Sequence, residues 1–127
     1  MKRRVLLAED HADTVEVVKF GLERLGYDVE VAENGLEAVQ KATARRPDLI
    51  VMDMMMPVMD GLQATAQIRE NPKTKDIPVL AATALARPGD AERCLANGCN
   101  GYIEKPFTCR QLDAAIERLF DSRTPRT

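Results

Sequence analysis

Two kinds of apolar spacing alternate five times along this chain. Short continuous apolar runs occur at Val5–Ala8, Val29–Ala32, Leu49–Met52, Pro78–Ala82 and Tyr102–Ile103, lengths that suit strands. Between them the apolar residues fall at helical spacing. Val15, Val18, Leu22 and Leu25 make one stripe, and Leu36, Val39 and Ala42 a second. The clearest stripe is the last, with Leu112, Ala115, Ile116, Leu119 and Phe120 on one helical face. The pattern Thr108-Cys109-Arg110-Gln111 just before it has the spacing of a capping box. Gly26 and Gly98 stand where helix ends are closed.

Alternating strands and helices predict a parallel sheet covered on both faces. Runs one, three and four are apolar throughout, as strands buried on both faces must be. Run two alternates as Val29-Glu30-Val31, and run five leads into Glu104, so these two belong at the edges. The flavodoxin-like strand order 2-1-3-4-5 puts them there. The expected architecture is therefore a doubly wound (βα)5 α/β fold. It forms one domain over residues 1–127, with a core over about 4–121 and short tails.

Composition narrows the function. A chain of 127 residues can bury about two-thirds of its unfolded surface, enough to fold without disulfides or a structural metal. A net charge of −2 without a basic stripe, and the absence of tryptophan, argue against a nucleic-acid surface. The basic clusters Lys2-Arg3-Arg4 and Arg123…Arg126 lie at the ends and read as solvated tails. Cys94, Cys99 and Cys109 lack metal-ligand spacing and read as reduced thiols of a cytoplasmic protein. No apolar run is long enough to cross a membrane. The run Met52, Met54, Met55, Met56 and Met59 reads as core packing, not as a Met-rich binding surface.

Candidate chemistry gathers at the carboxyl ends of the expected strands. Glu9-Asp10 follow strand one, Asp53 ends strand three, Thr83 ends strand four, and Lys105-Pro106 follow strand five. Ligands of open α/β sheets bind at those ends, where the strand order reverses. Two unit charges about 4 Å apart repel by about 4 kcal/mol at an effective dielectric of about 20. Three converging carboxylates therefore call for a cation, and an all-oxygen set suits Mg²⁺ better than Zn²⁺. Glu9-Asp10 by themselves would pass as helix-capping acids, and His11 as a solvated loop residue. Asp53, a charge closing a buried strand between Leu49-Ile50-Val51-Met52 and Met54-Met55-Met56-Pro57, is harder to dismiss in that way. A carboxylate beside Mg²⁺ can act as nucleophile toward a phosphoryl group.

These residues, with the run Asp53-Met54-Met55-Met56-Pro57-Val58-Met59-Asp60-Gly61, Thr83-Ala84 and Lys105-Pro106-Phe107, resemble the receiver domains of two-component response regulators over essentially the whole chain. The resemblance implies that Asp53 takes a phosphoryl group from a histidine of a sensor histidine kinase or histidine phosphotransferase. It implies that Glu9, Asp10, Asp53 and the backbone carbonyl of Met55 hold Mg²⁺, and that Lys105, in a cis bond to Pro106, contacts the phosphoryl group. Thr83 and Tyr102 would form a switch pair acting on the face of helix four, strand five and helix five. Arg87, Arg93, Asn97, Tyr102 and Glu104 on that face would meet a downstream protein. Met55 and Leu85 are apolar where chemotaxis receivers carry polar groups, which implies a longer-lived aspartyl phosphate.

Other classes compete. A hydrolase of the haloacid-dehalogenase type needs a second aspartate two residues after its nucleophile, where this chain has Met55. An FMN binder needs a Ser/Thr/Gly-rich loop after strand one, where this chain has Glu9-Asp10-His11-Ala12-Asp13. A phosphorylation-independent scaffold is the remaining alternative, although such scaffolds typically lose the acidic pair or the acceptor.

Overall fold

The computed structural model describes residues 2–84 and 87–123; Leu85 and Arg126, invoked above, lie outside them. The elements run β1 (Arg4–Ala8), α1 (Ala12–Arg24), β2 (Asp28–Ala32), α2 (Gly35–Arg45), β3 (Leu49–Asp53), α3 (Gly61–Glu70), β4 (Val79–Thr83), α4 (Asp90–Ala96), β5 (Gly101–Glu104) and α5 (Cys109–Arg123). All four strand pairings are parallel and the order is β2-β1-β3-β4-β5. The doubly wound sheet is thus the expected one. Pro78 stays outside β4, and its carbonyl accepts from Ile50 N–H at 2.9 Å.

Alternation along the inner strands builds two cores. Leu6, Ala8, Ile50, Met52, Val79 and Ala81 face α2 and α3 on one side. Val5, Leu7, Leu49, Val51, Leu80 and Ala82 face α1 and α5 on the other. Every stripe residue of α5 is buried, from Leu112 to Phe120. Its capping box forms as expected: Gln111 N–H donates to Thr108 Oγ1 at 3.1 Å, and Thr108 N–H to Gln111 Oε1 at 2.8 Å. Gly26 and Gly98 both take positive φ.

Several expectations need correction. Leu25 and Leu36, members of the apolar helical stripes, are 39% and 41% exposed. Leu25 is the residue just past α1 and Leu36 the second residue of α2, so each lies where its helix is not continued. The basic start of the chain is no solvated tail: Arg3 stacks on the Phe120 ring at 3.9 Å, and Arg4 opens β1 and bonds the Arg46 carbonyl at 3.1 Å. Met52, Met54 and Met56 are buried and Met59 packs against the same core, but Met55 is 58% exposed. The chain leaves the sheet at Asp53, so alternation no longer turns that side chain inward.

Candidate functional site

Backbone pairing brings the strand ends together. Glu9 N–H donates to the Ala32 carbonyl at 2.9 Å, which holds Glu9 just past β1. Asp53 pairs with Ala82 across β3–β4, and Thr83 with Glu104 across β4–β5. Lys105 N–H donates to the Thr83 carbonyl at 2.8 Å. The Lys105–Pro106 peptide is cis.

Asp53, Glu9 and Thr83 are buried, with 5%, 2% and 5% of their surface exposed. Lys105 bridges the two buried carboxylates: its Nζ donates to Glu9 Oε1 and stands 3.6 Å from Asp53 Oδ1. Asp10 lies at the open lip. Carboxylate oxygens of Glu9, Asp10 and Asp53 and a ring nitrogen of His11 all fall within 4.8 Å of one another. This is a donor set that a divalent cation fits.

The electrostatics separate the two buried acids. Burial pushes Glu9 up, but hydrogen bonds from Lys105 and from the His11 backbone and ring outweigh it and hold the carboxyl at about 2. Burial pushes Asp53 up to about 6, with Lys105 pulling against it and the Glu9 charge adding to it. Met55 N–H helps the Asp53 anion, donating to Oδ1 at 3.2 Å.

The loop from Asp53 to α3 is tightly built. Asp60 caps α3 in a reciprocal box, accepting from Gln63 N–H at 2.8 Å while Gln63 Oε1 accepts from Asp60 N–H at 3.1 Å. The sequence signal for it is Asp60-x-x-Gln63, which apolar periodicity does not detect. At Gly61 an added Cβ would stand 2.4 Å from the Asp53 carbonyl oxygen; only glycine lets the α3 start press so closely on the end of β3.

Thr83 and Tyr102 line one cavity of about 210 Å³ beside α4, together with Met54, Arg87, Asp90 and Cys94. The residues expected to form a switch pair are thus neighbours across a space that a side chain can enter. His11 is the solvated loop residue expected, with 70% of its side chain exposed; its Nδ1 lies 3.0 Å from Glu9 Oε2 and 3.3 Å from Asp10 Oδ1, and those carboxylates raise its pKa.

Comparison with known proteins agrees with this geometry. Residues 5–117 match the family model described as the response regulator receiver domain. The polar-differentiation response regulator DivK of Brucella anthropi is 38% identical over 108 residues, 85% of this chain and 88% of that protein. Among solved structures, the receiver domain of a sensor histidine kinase from Pseudomonas aeruginosa, with a magnesium ion coordinated in its active-site cleft, aligns with TM-score 0.89 and 37% identity. That alignment covers 95% of this chain and 99% of the other. The chemotaxis response regulator CheY4 of Vibrio cholerae aligns with TM-score 0.88 and 32% identity, covering 94% and 99%.

Proposed function

This chain belongs to the family of response regulator receiver domains, and from that premise we propose that Asp53 is its phosphoryl acceptor. Receivers accept phosphoryl groups in two-component signalling and act as switches, not as classical enzymes. The observation that carries the reading is one buried carboxylate ending a central strand, faced by Lys105 and by two further acids at the strand-order reversal.

The donor is a phosphohistidine of a sensor histidine kinase or histidine phosphotransferase. An Asp53 oxygen attacks phosphorus as the phosphorus–nitrogen bond of the donor breaks, leaving an aspartyl phosphate and a free imidazole. Glu9, Asp10, Asp53 and the Met55 carbonyl would hold Mg²⁺, which supplies positive charge for the phosphoryl oxygens. Lys105, 3.6 Å from Asp53 Oδ1, lends a second positive charge. The Thr83 hydroxyl then donates to a phosphoryl oxygen, and Tyr102 turns into the space beside α4. This shifts the population of the face formed by α4, β5 and α5, which includes Arg87, Arg93, Asn97 and Glu104. A downstream protein reads that face in the cytoplasm.

Intact-mass measurement after incubation with acetyl phosphate tests the acceptor. A gain of one phosphoryl group that requires Mg²⁺ and vanishes in Asp53→Asn is expected. A folded protein that gains nothing would return weight to the scaffold reading.

Met55 is exposed beside Asp53 and offers no hydrogen bond to a hydrolytic water. Met55→Asn together with Leu85→Glu should shorten the aspartyl-phosphate lifetime by about tenfold, since placing water and its proton is worth at least that. An unchanged decay of the phosphorylated mass would remove this reading of the two apolar positions.

A further inference from the structure

The cation site described above is built from oxygen, with one exception. His11 Nδ1 sits 3.0 Å from Glu9 Oε2 and 3.3 Å from Asp10 Oδ1, and a ring nitrogen of His11, with one oxygen each from Glu9, Asp10 and Asp53, lies in a group spanning at most 4.8 Å. An ion with bonds of about 2.0–2.2 Å holds its ligands roughly 3–4 Å apart, so small side-chain movements close the set. The imidazole faces solvent, with 70% of its side chain exposed. It is not committed elsewhere as a helix cap: His11 occupies the N-cap of α1 but its side chain makes no capping bond.

From this juxtaposition we infer that His11 is a nitrogen ligand which makes the cleft selective for late first-row ions such as Zn²⁺ over Mg²⁺. The inference rests on the reading of this cleft as a divalent-cation site. The chemistry discriminates because Mg²⁺ is a hard ion that prefers oxygen and keeps its waters, and gains little from an imidazole. Zn²⁺ bonds imidazole nitrogen strongly and sits high in the affinity order of divalent ions. Zn²⁺ bound through His11 would occupy the carboxylates that Mg²⁺ uses, so the receiver would be sensitive to the balance of the two ions.

The experiment is calorimetric titration of the whole chain with Zn²⁺ and, separately, with Mg²⁺, comparing His11→Ala with the parent. Both proteins carry Cys109→Ser, because Cys109 is the one exposed cysteine among the described residues. His11→Ala should weaken Zn²⁺ by about tenfold or more and Mg²⁺ by less than about threefold. During the Zn²⁺ titration the parent's imidazole Nδ1 resonance should shift in a long-range ¹H–¹⁵N spectrum. Equal Zn²⁺ affinity in the two proteins would overturn the inference, as would an equal loss for both ions, which would make His11 a general support of the loop. In either case Mg²⁺ binding by the parent would leave the phosphoryl-acceptor reading standing. A parent that binds neither ion would overturn the inference and the cation part of that reading together.

Discussion

In metal-free buffer the protein should lose about 2 kcal/mol of stability between pH 4.5 and pH 7, and Asp53→Asn should abolish most of that loss. The unfolded carboxyl titrates near its ordinary 3.8, and burial raises it to about 6 in the fold. A raised pKa contributes stability that is complete below the unfolded value and is lost as pH climbs through the folded one. The full two-unit difference corresponds to about 3 kcal/mol, of which about 2 falls inside this window. Glu9 works in the opposite sense. Its folded value of about 2 lies below the ordinary 4.5, so its contribution is present above 4.5 and is lost as pH falls toward 2. Together the two acids place a stability maximum near pH 4 to 5. Urea denaturation across pH, with and without the substitution, reads both limbs. A flat profile for the parent above pH 4.5 would show that the Asp53 charge is compensated in the fold without a cation. Adding millimolar Mg²⁺ at pH 7 should recover part of the loss, because a ligand that binds only the folded state stabilises it.

Replacing Arg69 by Met should cost about 3 kcal/mol and lower the melting temperature by about 10 °C. Arg69 lies near the end of α3 and acts as a four-way clamp. Its Nε donates to the Gly98 carbonyl at 2.9 Å, and its Nη1 donates to the carbonyls of Lys75 at 3.0 Å and Ile77 at 2.7 Å. Its Nη2 donates to Asn100 Oδ1 at 2.6 Å. The Gly98 and Ile77 bonds are partly buried, so their carbonyls lose a charged donor that water replaces poorly; the other two acceptors are exposed. Each partly buried loss is worth about 1.5 kcal/mol, while methionine keeps most of the apolar stem. Asn100 also accepts from Val79 N–H at 2.9 Å, so the damage should spread to the starts of β4 and β5. Calorimetry gives the size of the effect, and faster amide exchange confined to residues near 75–79 and 98–101 gives its place. A loss below about 1 kcal/mol would mean that water satisfies all four acceptors.

Fold class and strand order are legible in the chain because burial on both faces of a parallel sheet forces continuous apolar runs, and the two runs interrupted by Glu30 and closed by Glu104 identify its edges. The strand ends that carry Glu9, Asp53, Thr83 and Lys105 follow from that order. Their convergence needs only the rule that a parallel sheet presents all its carboxyl ends on one side. Short-range signals were equally readable where a side chain meets its own backbone, as in the Thr108–Gln111 box. Three features depended on side-chain directions that exist only once the elements have packed. The His11 imidazole turns back over Glu9 and Asp10. Met55 faces outward where its neighbours Met54 and Met56 are buried. Arg69 reaches across to Gly98 and Asn100, about thirty positions away in sequence. Periodicity describes which face a residue takes within a regular element, so it is silent in the loops past the strand ends and about long side chains spanning between elements. The strand pattern thus determined where the site is, while tertiary packing decided which groups touch and how strongly the buried acids are pushed apart.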